Sequence, residues 1–131
     1  GKLFKYNLET KENKLLYKRE NLLVNFIFDK KNNCFYVSTF EGKIIKINVS
    51  NPSLSKIYDF GLYTIEAIDI YKDKYLIAGD WEGKIKVFDL ETFDTVETYN
   101  NKKRIVKIVV SGNCFYTSSS DRTIKKWSLN F

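Results

Sequence analysis

Hydrophobic and polar residues alternate along short segments of this chain, and one such segment returns at nearly constant spacing. The segment that begins at Gly1 (GKLFKYNL) reappears at Gly42 (GKIIKINV), at Gly83 (GKIKVFDL) and, more distantly, at Arg122 (RTIKKWSL). The first three copies begin 41 residues apart, and the fourth follows after 39. Alternation with a period of two is typical of a strand with one buried face. Each copy therefore predicts one strand of a repeated unit.

Three further strands are predicted in each unit, separated by turn residues. They fall at 14–18, 23–28 and 35–39, then at 54–59, 65–70 and 76–80, and again at 95–99, 105–110 and 115–119. The strands at 23–28, 65–70 and 105–110 are the most continuously apolar, as expected of strands buried on both faces. A period near 40 with four short strands is typical of a β-propeller blade. The sequence therefore predicts an all-β fold.

The predicted strands group into blades of four antiparallel strands. We expect a half blade at 2–18, complete blades at 22–59 and 64–99, and a three-stranded blade at 105–129. Closed propellers have about four to eight blades, so about three blades form a partial ring. It would be completed by the remaining blades of a longer chain or closed by oligomerisation with copies of itself. Strand 2–8 would lack a pairing partner in a ring of copies, which favours a longer propeller.

The last repeat carries the most specific motif. The stretch 109–129 (VVSGNCFYTSSSDRTIKKWSL) resembles the second half of the motif of WD-repeat β-propellers, most closely in SSSDRTIKKW. Phe88-Asp89 matches the closing Trp-Asp pair of that motif. The resemblance covers nearly the whole chain and implies a divergent member of this family. Such propellers serve as binding platforms far more often than as enzymes.

The resemblance also implies a structural network inside each blade. WD repeats often hold a blade together with a buried hydrogen-bond chain of Asp, His, Ser or Thr, and Trp. Asp121, Ser118 and Trp127 would supply three members, but the chain contains no His. We therefore expect these blades to depend more on apolar packing than on that polar chain.

The amino-acid composition reduces the kinds of catalytic and metal site that the chain could contain. The absence of His removes the usual general base, the nucleophile–His pairs and the His metal sites. Cys34 and Cys114, at equivalent positions two repeats apart, are too few to hold a metal and too distant to form a disulfide. We expect both to be buried free thiols of an intracellular protein, cytoplasmic or nuclear. No apolar run reaches the roughly 18 residues of a membrane span. The sequence predicts no enzyme, no cofactor, no metal and no membrane partner.

Candidate partner-binding residues come from two places. Phe40 and Trp81 occupy equivalent turns, on the face that the resemblance implies as the usual partner surface. A Trp beside a basic loop is typical of a binding hot spot, although both rings could equally pack between blades. Lys102, Lys103 and Arg104 form that basic loop, which would contact an acidic peptide or a phosphate backbone, or simply be solvated.

Two functions remain open at this point. The first is a non-catalytic scaffold that presents loop residues to other proteins or peptide segments, with acidic segments preferred. The alternative is an RNA-binding or ribonucleoprotein-assembly subunit with a Lys-rich surface. The net charge of +6 supports it weakly, because only three of the 22 basic residues are arginines.

Overall fold

The computed structural model describes all 131 residues, which form thirteen strands and no helix. No helix long and apolar enough to cross a membrane is present. The strands are β1 (Lys2–Tyr6), β2 (Asn13–Lys18), β3 (Leu23–Asp29), β4 (Cys34–Thr39), β5 (Lys43–Asn48), β6 (Ser55–Asp59), β7 (Ile65–Tyr71), β8 (Tyr75–Asp80), β9 (Lys84–Asp89), β10 (Thr95–Asn100), β11 (Ile105–Ser111), β12 (Cys114–Ser119) and β13 (Ile124–Ser128).

Four antiparallel sheets follow one another along the chain. The first holds β1 and β2, the second β3 to β6, the third β7 to β10, and the fourth β11 to β13. Within each sheet every strand pairs with its neighbour in sequence, because short turns connect antiparallel strands. The prediction of an all-β fold built from four-stranded antiparallel blades is confirmed.

The four sheets form an arc with two faces, each made by a different set of turns and loops. The turn face carries the β4–β5, β8–β9 and β12–β13 turns together with the β2–β3, β6–β7 and β10–β11 loops. The opposite face carries the turns β3–β4, β7–β8 and β11–β12 and the loops β1–β2, β5–β6 and β9–β10. The first strands of the second, third and fourth sheets lie side by side along the inner edge of the arc.

Apolar side chains pack between successive sheets. The second and third sheets share a core that includes Tyr36, Ile44, Leu76 and Phe88, and the third and fourth sheets share another centred on Phe115. Burial of an aliphatic or aromatic side chain of this size contributes about 1.5–3 kcal/mol. The outer side of the fourth sheet is not covered, and Ile124 there is 77% exposed.

The two free cysteines differ in burial for the same reason. Cys34 lies in the core between the second and third sheets and is fully buried, whereas the equivalent Cys114 is half-buried. The expectation that both thiols are buried is therefore correct only for Cys34. No sheet packs against the side of the fourth sheet on which Cys114 lies.

The turn face is built by a close approach between neighbouring sheets. Gly42 is the last residue before β5, and Gly83 is the last residue before β9. Both have a backbone in the left-handed region, with φ of 82° and 89°. A Cβ on Gly42 would lie 2.0 Å from the Leu62 carbonyl oxygen, and one on Gly83 would lie 2.5 Å from the Lys103 nitrogen. Only glycine allows each turn to pack against the next loop at this distance.

A β-bulge recurs at the start of three sheets. The pairing register shifts between Leu23 and Asn25 in the second sheet, and at the equivalent point of the third and fourth. The extra residues are Val24, Glu66 and Val106. A bulge residue is left out of the strand ladder and its side chain is re-aimed, so one side chain per sheet is turned away from the regular alternation.

Candidate partner-binding face

Phe40 and Trp81 lie together on the turn face. Phe40 belongs to the β4–β5 turn and Trp81 to the β8–β9 turn, so they come from neighbouring sheets. Their ring centroids are 5.5 Å apart with an interplanar angle of 84°, an edge-to-face contact. Phe40 is 49% exposed and Trp81 is 39% exposed. The two rings therefore pack on each other and still present apolar surface to solvent.

The same indole also contacts a cation from the next sheet. The guanidinium carbon of Arg104 lies 4.3 Å from the ring centroid of Trp81, a cation–π contact worth about 0.5–2 kcal/mol. Phe40, Trp81 and Arg104 thus form a continuous row that crosses from the second sheet to the fourth. We call these three residues the aromatic row.

The carboxylate of Glu66 binds two members of the aromatic row, Trp81 and Arg104. Its Oε2 accepts hydrogen bonds from Trp81 Nε1 at 3.2 Å and from Arg104 Nε at 2.8 Å, and Arg104 Nη2 lies 2.6 Å from the same oxygen. Charged hydrogen bonds of this kind are stronger than neutral ones. Glu66 reaches both partners because it is the bulge residue of β7. Nothing in the sequence marked it, since a lone Glu within a strand pattern gives no such signal.

The basic loop divides into two parts with different roles. Arg104 is half-buried and paired with Glu66, so its charge is largely neutralised. Lys102 and Lys103 are exposed and form no ion pair. They are the cations of the loop that remain available to a partner.

The backbone of this loop is well held. Buried Asn101 donates from Nδ2 to the Lys103 carbonyl at 3.1 Å and to Ser119 Oγ at 3.0 Å. Asn100 Oδ1 accepts from the Lys102 nitrogen at 2.8 Å. These bonds fix Lys102 in the left-handed region (φ 65°), a conformation that an Asx-type side-chain bond stabilises.

A small cavity opens beside the aromatic row on the inner edge of the arc. It has a volume of about 270 Å³, and the three bulge residues Val24, Glu66 and Val106 all line it. Ala67 and Ile68 add to its apolar wall. The bulges therefore bring two valines and one carboxylate together next to Trp81.

Two solved structures show what this arrangement of sheets is similar to. "Structure of U3-55K" superposes with a TM-score of 0.76 at 16% sequence identity and covers 86% of this chain. The β-propeller domain of Cps50 (Swd1) from Myceliophteria thermophila superposes with a TM-score of 0.77 at 9% identity and covers 87%. This is the WD-repeat propeller fold. The chain spans 38% of the length of each of these two structures, so it is a partial propeller.

The likeness is one of shape, because these identities are far too low to carry residue roles. Neither a protein-family model nor a curated protein sequence matches the chain. The resemblance to WD-repeat propellers suggested by the last repeat is nonetheless confirmed at the level of the fold.

The predicted blade network takes a different form in the propeller. Trp127 Nε1 donates to Thr117 Oγ1 at 3.0 Å, and Ser118 makes no side-chain hydrogen bond. Phe115 pairs with Trp127 across the strands, so Thr117, two residues further on, shares its face, while Ser118 points the other way. Ser118, Asp121 and Trp127 therefore do not form one hydrogen-bonded chain.

Asp121 instead stabilises its own turn. Its Oδ1 accepts from the Thr123 nitrogen at 2.9 Å and from the Thr123 hydroxyl. The hydrogen bond from the Thr123 side chain holds the pKa of Asp121 below its ordinary value, and nearby Lys125 acts in the same direction.

The residue that organises each turn sits earlier than the sequence suggested. Asp80 is fully buried, and its carboxylate accepts from the backbone nitrogens of Tyr63, Glu82 and Lys84 at 2.9–3.0 Å. Thr39 accepts from Lys43 at the same position of the second sheet, and Ser119 accepts from Asp121 in the fourth.

All four ion pairs of the propeller lie on the turn face. They are Arg19–Glu41, Lys43–Asp59, Arg104–Glu66 and Lys125–Asp121. The hydrogen bond from Lys43 is the main cause that lowers the pKa of Asp59. Four cations of this face are therefore compensated, whereas Lys102 and Lys103 beside the aromatic row and Arg122 in the β12–β13 turn are exposed and form no ion pair.

Proposed function

We propose that this chain is a non-catalytic scaffold that binds a protein segment on its turn face. The observation that carries the proposal is the aromatic row: the Phe40 and Trp81 rings pack on each other and stay partly exposed, and the indole is also held by the Glu66 carboxylate and the Arg104 guanidinium. A rigid aromatic anchor gives contact area without a large loss of side-chain entropy on binding. Such anchors dominate the free energy of many protein interfaces.

The segment that fits this face has one apolar side chain and nearby acidic residues. The apolar side chain would pack against the exposed edges of Phe40 and Trp81, next to the cavity formed by the bulge residues. Lys102 and Lys103 would meet the acidic residues. Exposed charges of this kind mainly speed association and select among partners rather than supply most of the affinity.

Arg104 has a different role in this proposal from that of its two neighbours. Its guanidinium stacks on Trp81 and pairs with Glu66, so it positions the indole instead of offering a free charge. Of the residues in the basic loop, Lys102 and Lys103 are therefore assigned to partner selection.

The test is selection of peptides from a displayed random library against the 131-residue chain, followed by affinity measurements with variants. We expect enrichment of an apolar residue flanked by Asp or Glu. Trp81→Ala should weaken binding by about 30-fold, as expected for a hot-spot aromatic residue. Trp81→Phe should retain most of the affinity, because the ring contact remains.

Charge reversal separates the two kinds of contact. Lys102→Glu with Lys103→Glu should mainly slow association and make it less sensitive to salt. The matched control is Lys5→Glu with Lys14→Glu, a pair that faces each other across β1 and β2, and it should have little effect. If single-stranded RNA is bound instead, with a steep loss of affinity in salt and no response to Trp81→Ala, the scaffold proposal is wrong.

A further inference from the structure

A polar cavity lies on the opposite face, at the junction of the second and third sheets. Its volume is about 420 Å³. Lys31 and Asn32 from the β3–β4 turn and Lys46 from β5 form one wall. Lys74 from the β7–β8 turn belongs to the other wall. Three lysines from three different elements therefore line one cavity.

None of these ammonium groups is neutralised by an ion pair. No carboxylate oxygen lies within 4.0 Å of Lys31, Lys46 or Lys74, since the four ion pairs are all on the turn face. Lys46 Nζ lies 5.7 Å from the ring centroid of Phe93 instead, and Lys74 Nζ lies 5.3 Å from that of Tyr75. A ring face stabilises an ammonium without occupying all of its N–H donors.

The backbone that carries these lysines is fixed. Buried Asp29 accepts from the side chain of Asn32 at 2.7 Å and from its backbone nitrogen at 3.3 Å, which holds the turn that bears Lys31. The Leu90 nitrogen donates to the Lys74 carbonyl at 2.8 Å and ties the turn of the third sheet to the loop after β9. Lys46 belongs to a strand that is paired on both sides.

Charge is distributed unevenly between the two walls. The wall from the second sheet carries only cations and an amide, whereas the third sheet adds Asp73 and Glu91 beside Lys74. An anion would therefore bind against Lys31 and Lys46 and away from Glu91. Removing the charge of Lys31 or Lys46 should therefore lower the affinity for an anion, and removing that of Glu91 should raise it.

We propose that this cavity binds a phosphate monoester group, seated against Lys31 and Lys46 with Lys74 closing the third side. A lysine ammonium is a compact charge with three donors and suits a rounded dianion. The cavity holds no arginine, so recognition there would rest on the point charges of lysines and not on a bidentate fork. The site is separate from the aromatic row and does not depend on the function proposed for the turn face.

The first experiment is a titration of the 131-residue chain with inorganic phosphate at constant ionic strength, followed by the amide NMR shifts of Asn32 and Lys74. We expect saturable shifts confined to these turns, with no such response to chloride. Lys46→Gln should weaken phosphate binding by roughly 10-fold or more, as for loss of one charged hydrogen bond. Lys14→Gln, which changes the same charge on β2, is the control and should leave binding unchanged.

A variant that is expected to increase the affinity for phosphate distinguishes a binding effect from a loss of folded structure. Glu91→Gln removes the repelling carboxylate and should strengthen phosphate binding about twofold to threefold. Unfolding cannot produce such a gain. Equal affinity in the Lys46→Gln, Glu91→Gln and unaltered proteins would overturn the proposal, as would shifts that are spread over both faces.

A second titration identifies the source of the phosphate group. A phosphoserine peptide that binds more tightly than inorganic phosphate, while its serine counterpart does not bind, would assign the site to modified protein segments. Equal affinity for the peptide and inorganic phosphate would assign it to free phosphate. Failure of both ligands to shift the Asn32 and Lys74 amides would overturn the proposal.

Discussion

The cations that make specific contacts on the two faces of this partial propeller have different partners. On the turn face, Arg104 and three other cations are paired with carboxylates. On the opposite face, Lys46, Lys72 and Lys74 lie over the rings of Phe93, Tyr71 and Tyr75. A paired cation stiffens the surface around it and offers little charge to a partner. A cation on a ring keeps its charge and its donors for a ligand.

This difference shows why net charge alone is a poor guide to function. The chain carries a charge of +6, but the distribution of its carboxylates decides where that charge is effective. In our proposals the turn face recognises a partner mainly through its aromatic rings, with Lys102 and Lys103 beside them, whereas the opposite face recognises an anion. Three measurements in addition to the binding experiments above test this contrast, in order of decreasing effect.

The largest effect is expected from glycines that differ in their surroundings. Gly83→Ala should lower the free energy of unfolding by about 3 kcal/mol or more, because its Cβ would meet the Lys103 backbone at 2.5 Å. Gly112, in a turn of the opposite face, also has a positive φ (60°), but a Cβ there would meet nothing within 4 Å. Gly112→Ala should therefore cost only about 1 kcal/mol. Urea unfolding of both variants measures the difference.

Similar losses in the two glycine variants would mean that backbone conformation alone, and not close packing of the turn face, determines the cost.

An intermediate effect is expected from the carboxylate under the aromatic row. Glu66→Gln keeps the shape of the side chain but removes its charge, and should cost about 1 kcal/mol because the pair with Arg104 is partly exposed. Lys74→Gln on the opposite face removes a cation that forms no ion pair, and should change stability by less than about 0.5 kcal/mol. Urea unfolding again gives both values.

A double-mutant cycle of Glu66→Gln with Arg104→Gln would isolate their coupling. A coupling energy near zero would contradict the role of Glu66 in holding the aromatic row.

The smallest effect concerns the reactivity of two thiols rather than stability. Burial raises the pKa of Cys34, a nearby carboxylate (Asp29) adds to the rise, and the Tyr36 hydroxyl and the uncompensated charge of Lys46 oppose it. At pH 8 a thiol with a raised pKa holds less thiolate, so Cys34 should react with a thiol reagent more slowly than half-buried Cys114. The variants Cys34→Ser and Cys114→Ser assign the two rates.

Lys46→Gln should slow Cys34 further, by roughly twofold, because the pKa would rise again. An unchanged or faster rate would indicate that the charge of Lys46 is already compensated.

The fold could be predicted because the chain repeats. Each copy of the Gly-Lys-Ile segment brings the same alternation and the same turn residues, so errors in one copy are corrected by the others. The burial of Cys114 could not be obtained in this way. Repetition indicates what is equivalent among the blades, but not which blade lacks a neighbour.

The residues of the candidate site could be predicted only in part from the alignment of the repeats. Alignment placed Phe40 and Trp81 at equivalent turns, but it could not show that their rings touch, because that contact depends on the angle between sheets. Glu66 was missed because its role follows from a bulge, which shifts one residue out of the alternating pattern. Thr117 and Ser118 are neighbours with similar chemistry, and only the strand register decides which of them faces Trp127.

The recurring bulge has a consequence for how such a chain changes over time. The bulge residues are left out of the hydrogen-bond ladder between strands. A substitution at Val24, Glu66 or Val106 therefore leaves the strand pairing of its sheet intact. Each repeat thus contains one position whose identity can be rewritten while the scaffold stays the same. A duplicated unit with such a position can acquire a new specificity in one copy and leave the others unaltered.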